Sequence, residues 1–134
     1  MSTSGTFPLV LVGFVLILFA SGCGSPLLKA GATQEGLASY YGKEFEGRKT
    51  SSGEVFRPNE LTAAHRTYPF GTILRVTNLV NDQKVEVRVN DRGPVKPERI
   101  IDLSYGAAKI IGLDRSGLIR VRLEVLEWGK PKSK

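Results

Sequence analysis

The sequence predicts an all-β fold, a small closed barrel carrying one short helix. Several segments alternate apolar and polar residues with period two, and Gly and Pro interrupt them too often for long helices. The chain has 134 residues, which is room for one domain rather than two.

Taken in order, residues 37–41 read as a first strand and residues 61–65 as a short second one. Leu74 and Val76 then alternate with Arg75 and Thr77, and Val85, Val87 and Val89 with Glu86, Arg88 and Asn90. The segment 80–83 between these two patterns reads as a hairpin turn. Ser104 can cap a helix over 105–111 that Gly112 ends. Ile119, Val121, Leu123 and Val125 share the inner face of a last strand, with Arg120, Arg122 and Glu124 outside. Six or so short strands with one short helix favour a barrel over a helical bundle.

The N-terminus reads differently. The first 22 residues carry no Asp, Glu, Lys or Arg, and residues 7–20 form an almost unbroken apolar run. A bilayer-spanning helix needs about 20 such residues, so this run suits the apolar region of a secretion signal better. Ala20, Ser21, Gly22 and Cys23 follow and resemble a bacterial lipobox, in which the Cys becomes the acylated N-terminus. Ala20 stands where such boxes usually have Leu, and no basic residue precedes the run; an uncleaved anchor helix is the alternative. The expected organisation is a signal at 1–22, a lipid-anchored tether at 23–34, the folded domain at 35–128 and a basic tail at 129–134. This places the domain on the cell membrane or outer membrane, facing the periplasm or cell wall.

Composition narrows the chemistry. Cys23 is the single cysteine, so the domain has no disulfide, and a zinc–thiolate site is excluded. With His65 as the one histidine, an imidazole metal centre is not expected either, and no cofactor is. The net charge of +6 suggests polyanionic surroundings such as wall polymers or anionic lipid. Nucleic acid is not expected as a partner, because export argues against it and no nucleic-acid motif is visible. A monomer is expected.

The stretch Val89-Asn90-Asp91-Arg92-Gly93-Pro94 carries the most chemical information. Parity puts Asp91 on the side of Val85, Val87 and Val89, and Gly93-Pro94 breaks the strand, so Asp91 is expected where the barrel interior meets solvent. Partial burial disfavours a carboxylate's charge, which suits a general acid. The alternative is a turn cap bonded to backbone N–H groups. Glu54, after the turn-like Thr50-Ser51-Ser52-Gly53, and His65 are polar candidates that are ambiguous alone.

Six stretches occur in order: Gly36-Leu37-Ala38-Ser39-Tyr40-Tyr41-Gly42, Thr50-Ser51-Ser52-Gly53-Glu54, Leu61-Thr62-Ala63-Ala64-His65-Arg66-Thr67, Pro69-Phe70-Gly71-Thr72, Val89-Asn90-Asp91-Arg92-Gly93-Pro94 and Ile100-Ile101-Asp102-Leu103-Ser104. Together they closely resemble the rare lipoprotein A (RlpA) family. The resemblance implies a six-stranded double-psi β-barrel with one or two short helices. It also implies an endolytic peptidoglycan lytic transglycosylase that acts on glycan strands lacking stem peptides, with Glu54, His65 and Asp91 as its functional positions. Tyr40 replaces the family's usual Trp, and Tyr68 its common Leu. Many relatives carry a further SPOR domain that binds denuded glycan, whereas this sequence ends at Lys134, so the resemblance leaves septal targeting open.

Under that resemblance Asp91 protonates the bond between N-acetylmuramic acid and N-acetylglucosamine, and Asp91 or Glu54 takes the proton of the muramyl 6-hydroxyl. His65 is expected to hydrogen-bond the carboxylate pair or the sugar. Asn90 and Arg92 flank the acid as sugar-binding candidates, and Tyr40 or Tyr41 offers a stacking face while the other packs in the core. A non-catalytic, expansin-like wall-binding module and a plain linker between membrane and wall are the competing readings.

Overall fold

The computed structural model describes residue 5 and residues 31–131; the expected signal run, Cys23, most of the tether and the end of the basic tail lie outside these. Six strands are present: β1 (Thr33–Tyr40), β2 (Thr62–Ala64), β3 (Ile73–Asn78), β4 (Lys84–Asp91), β5 (Arg99–Leu103) and β6 (Ile119–Glu127). They close into one barrel in the order β1-β5-β2-β4-β3-β6. Two short helices, α1 (Tyr105–Ile110) and α2 (Leu113–Ser116), join β5 to β6. Among the described residues no helix is long and apolar enough to cross a membrane.

Alternation builds the wall. On β6, Val121, Leu123 and Val125 are buried and Arg120 and Arg122 are exposed, as period two requires. On β3 and β4, Leu74, Val76, Val85, Val87 and Val89 fill the same interior. Each such side chain contributes roughly 1.5–3 kcal/mol relative to exposure. The hairpin between β3 and β4 closes through Asn78 N–H donating to the Gln83 carbonyl (2.8 Å), with Asp82 in the left-handed region at φ 62°.

One strand departs from its expected bounds, and another was not marked by any alternation. β1 starts at Thr33, ahead of both the expected strand at 37 and the expected domain start at 35. Its polar Thr33 and Gln34 are held by antiparallel pairing with Glu124 and Leu123 of β6. β5 has no alternating pattern; it runs parallel to β1 on one side and antiparallel to β2 on the other, which buries Ile101 and Leu103.

The helix expected after Ser104 forms. Ser104 Oγ accepts from Ala107 N–H (3.3 Å) and from Thr62 N–H (3.3 Å), so one hydroxyl both caps α1 and ties it to β2. Gly112, at φ 74°, then turns the chain between α1 and α2, a conformation costly for residues with a side chain. Ala107, Ala108, Ile111 and Leu113 complete the core.

The feature that sets up the functional end is a register shift between β2 and the parallel β4. Ala63 pairs with Val89 and Ala64 with Asp91, so Asn90 is an extra residue in the ladder. Such a bulge re-aims the side chains around it. Asn90 is buried and Asp91 half-buried, whereas strict alternation would have exposed Asn90.

Candidate active site

Four segments meet at the end of β4. Ala64 lies in register with Asp91 of β4 on one side and Asp102 of β5 on the other, so β2 brings both carboxylates to one end of the barrel. His65 follows, and its backbone N–H donates to the Asp91 carbonyl (3.1 Å). Tyr41, just past β1, arrives beside them.

The fourth segment is the turn at 50–54. It closes on itself through Gly53 N–H to the Thr50 carbonyl (2.9 Å), Thr50 N–H to the Glu54 carbonyl (2.8 Å) and the Thr50–Ser52 hydroxyl pair (2.9 Å). It then clips onto β4: Ser52 N–H donates to the Asn90 carbonyl (3.2 Å) and Ser51 N–H to Asp91 Oδ1 (3.0 Å).

The Asp91 carboxylate thus has three donors. Oδ1 accepts from Ser51 N–H and Arg92 N–H (2.8 Å), and Oδ2 accepts from the Tyr41 hydroxyl (3.3 Å). Burial, and then the neighbouring Asp91 and Asp102 charges, push the Tyr41 phenol above its ordinary range, so it stays a proton donor. Glu54 is fixed from the other side, by Arg88 Nη1 to Oε1 (2.6 Å) and Asn90 Nδ2 to Oε2 (3.1 Å). The bulged Asn90 therefore spans the candidate carboxylates: its side chain holds Glu54 and its backbone precedes Asp91.

His65 belongs to the cluster, but its ring does different work from that expected. Its Nδ1 accepts from the backbone N–H groups of Thr67 (3.1 Å) and Tyr68 (3.0 Å). That assigns the ring proton to Nε2, which donates to Gln34 Oε1 (3.0 Å). Both nitrogens are thereby used by the loop and β1, where a bond to the carboxylate pair or the sugar was expected. The ring stacks on Tyr68 at 3.7 Å, and Tyr68 meets Trp128 edge-on at 5.1 Å. Burial first, then the Arg92 and Arg66 charges, lower the imidazole to about 4, so it is neutral near neutral pH.

Arg92 is spent largely on the same loop. Its Nη1 donates to the carbonyls of His65 (3.1 Å) and Tyr68 (2.8 Å), and its guanidinium lies 3.9 Å over the Phe70 ring. The two adjacent tyrosines separate. Tyr41 contacts Asp91, while Tyr40 packs toward the helices, with its hydroxyl reaching the Asp114 carbonyl (3.4 Å) and its ring 6.1 Å from Tyr105. The structure so gathers Glu54, His65, Asn90, Asp91, Arg92 and Tyr41 and leaves Tyr40 outside.

Sequence reasoning missed Asp102. It is buried beside Arg99, whose Nη2 donates to Oδ2 (3.4 Å) while Nε lies 3.3 Å from Oδ1 in a charge contact. Burial raises its pKa, opposed by Arg99 and Arg66 and assisted by Asp91. Parity gave no signal, since Asp102 is buried together with its neighbours Ile101 and Leu103 on a strand without alternation. Arg88, Gln34 and the Ser51 amide also escaped notice, because partners distant in sequence leave no local pattern. Among the described residues no cluster of three or more His, Cys, Asp and Glu is placed to hold a metal ion.

Two depressions flank the 50–54 turn. One, beside Asp91, has Tyr41, Phe45 and Phe56 in its lining; the other, wider one is lined by Glu54, Arg88, Pro69 and Phe70.

The chain is 54% identical over 107 residues to an endolytic peptidoglycan transglycosylase RlpA of Campylobacter jejuni, covering 80% of this chain and 39% of that relative. It is 54% identical over 97 residues to the RlpA of Haemophilus influenzae, covering 72% and 34%. The chain thus spans well under half the length of these curated relatives. Among solved structures, a Clavibacter michiganensis expansin superposes with a TM-score of 0.60 at 20% identity, over 75% of this chain and 53% of that one. A Streptomyces papain inhibitor superposes at 0.59 and 23% identity, over 75% and 99%. These two likenesses concern the fold, which evidently serves unrelated tasks. Residues 33–123 match the family described as lytic transglycolase. With that match covering more than half of its length, the chain belongs to the lytic transglycolase family, within the RlpA group, and its barrel is a double-psi β-barrel.

Proposed function

We propose that the barrel is an endolytic lytic transglycosylase that cleaves N-acetylmuramic acid–N-acetylglucosamine bonds in peptidoglycan strands lacking stem peptides. The observation that carries this reading is the Asp91 carboxylate, fixed by three donors next to an aromatic depression, with Glu54 held on the adjoining groove through Asn90. The names of the curated relatives support it.

A hydrolase usually needs two carboxylates spaced for an external water. A lytic transglycosylase has its nucleophile inside the substrate, which gives the attack a high effective molarity. In the proposed reaction the Asp91 carboxylic acid gives its proton to the glycosidic oxygen as the C1–O bond breaks. The muramyl O6 forms the new bond to C1, and its proton passes to the Asp91 carboxylate or to Glu54, leaving a 1,6-anhydro end. Oδ1 is occupied by two N–H groups, so the transferred proton belongs on Oδ2, the oxygen that Tyr41 orients. His65 acts as a positioning residue that holds the 65–68 loop.

The chain should release anhydro-ended fragments from amidase-treated peptidoglycan, detected by mass spectrometry. Asp91→Asn should lower their release by ~10² to 10⁴-fold, the usual worth of a general acid. Equal release by the variant would remove Asp91 from the chemistry.

One observation favours a second reading: two of the three donors to Asp91 are backbone N–H groups, as for a turn cap. A glycan-binding module without cleavage would sediment with purified strands and yield no anhydro ends.

We also propose that the chain is exported, acylated at Cys23 and held as a monomer on the cell membrane or outer membrane facing the wall. The apolar run at 7–20 and the small residues before Cys23 support this. Cys23→Ser should shift the protein from the membrane fraction to the soluble fraction; unchanged fractionation would count against the anchor.

A further inference from the structure

Beside Asp91 lies a small open pocket, a cavity of about 100 Å³ with room for a substituent of one sugar unit rather than a length of polymer. Its apolar part is an aromatic cluster: Tyr41 meets Phe45 edge-on at 5.8 Å and Phe56 at 5.4 Å. Its other part is cationic. Arg48 and Lys49 line it, and the Arg48 guanidinium stands 5.4 Å over the Phe45 ring.

The backbone that presents these cations is anchored. Phe56 N–H donates to the Arg48 carbonyl (2.7 Å), Gly47 N–H to the Phe56 carbonyl (3.0 Å), and Lys49 bridges to Val55. Among the described residues, however, no carboxylate answers their charges. Arg57, Arg75, Arg88, Arg99 and Arg122 each pair with a carboxylate. Arg66 and Arg92 donate to carbonyl groups. Among the described residues neither Arg48 nor Lys49 has an ion-pair partner, and both are exposed. The nearby Asp91 is held by three uncharged donors instead. Two such cations over an aromatic floor ask for an anion carried on a compact, partly apolar ring.

We infer that this pocket is a subsite for a carboxylate-bearing sugar, in which Arg48 and Lys49 bind the free lactyl carboxylate of muramic acid. The inference rests on the proposed action on peptidoglycan glycan and deepens it. The lactyl group is an anion once its stem peptide is removed and a neutral amide while the peptide is attached. A guanidinium matches a carboxylate with paired N–H donors, and stacking on a ring lowers the cost of ordering it. The same two residues therefore discriminate stripped from peptide-bearing strands by charge as well as by bulk.

The test uses the full chain and the Arg48→Gln/Lys49→Gln double variant, with Arg48→Lys as the conservative control. Two substrates are compared: amidase-treated glycan, and the same glycan with its lactyl carboxylates converted to methyl amides. The double variant should lose about tenfold in kcat/KM on the carboxylate glycan, mainly through KM, and little on the amide. Arg48→Lys should keep part of the difference. Retention of the parent's full preference for the carboxylate glycan by the double variant would overturn the inference. If the parent forms no anhydro product, the lytic reading fails, and the subsite is then decided by calorimetric binding of the two glycans. Tighter binding of the carboxylate form that the double variant loses would sustain the subsite; equal binding of both forms would end it.

Discussion

The barrel has two unlike halves. In one, β3, β6 and the start of β1 pair antiparallel over long runs, with a single register shift at Ile73/Leu74, and inward and outward residues mostly alternate. In the other, the short β2 lies between β4 and β5, strands run parallel as well as antiparallel, and the register shifts at Ala63/Ala64 and at Leu37/Ala38. The regular half is lined with Val and Leu. The irregular half collects Asn90, Asp91, Asp102, His65 and Tyr41. Regular pairing makes a surface that can only be apolar inside and polar outside, whereas a shifted ladder turns a buried position into one that can carry a side chain to the rim.

If this division is real, changes in the two halves should separate activity from stability. The largest expected effect is that of Asp91→Asn, whose loss of product formation should come with a folded, cooperative chain. Leu123→Ala, in the regular half, should cost about 2–5 kcal/mol of stability, measured by denaturant unfolding, with activity per folded molecule unchanged. A matching loss of activity from Leu123→Ala would show that the halves are coupled.

The smallest effect concerns acid. His65 binds a proton at about 4 in the folded chain and near 6.5 when unfolded, so its contribution is complete above pH 6.5 and fades as pH falls toward 4. The whole effect is about 3 kcal/mol, and protonation would also remove the Nδ1 acceptor of the Thr67 and Tyr68 amides. Unfolding scans of the parent and His65→Gln at pH 7, 5 and 4 should show a flatter pH dependence in the variant. Parallel curves would mean that His65 does not set the acid sensitivity of the loop.

The two halves were also unequally legible in the sequence. β6, β3 and most of β4 follow from period two, and α1 from its Ser104 cap and Gly112 stop, because these signals are local. β5 has apolar residues at consecutive positions and no alternation, since both of its neighbours bury it. The start of β1 is polar and depends on a partner just over ninety positions away, Glu124 with Thr33. At the site, Asp91, Glu54 and His65 were identified through motif order rather than through chemistry readable at each residue. The roles of neighbours were less accessible. Period two puts Tyr40 and Tyr41 on opposite faces without saying which face is the site. The lone histidine's assignment waited on Gln34 and two amides that no spacing reveals. Arg48 and Lys49 sit in a loop, where charge has no periodicity to betray its use.

The bond from His65 to Gln34 has a mechanical consequence. Gln34 is the second residue of β1, and just ahead of it Gly31 and Ala32 are held to Val125 by backbone hydrogen bonds. Tension on the polypeptide upstream of Gly31 is therefore taken in shear by the β1–β6 ladder before it can reach the histidine. A pull strong enough to peel back those first rungs would tug the imidazole next, slackening the loop beneath Tyr68. If the domain is tethered upstream of Gly31 and binds glycan as proposed, it will be sensitive to how far its point of attachment stands from that polymer.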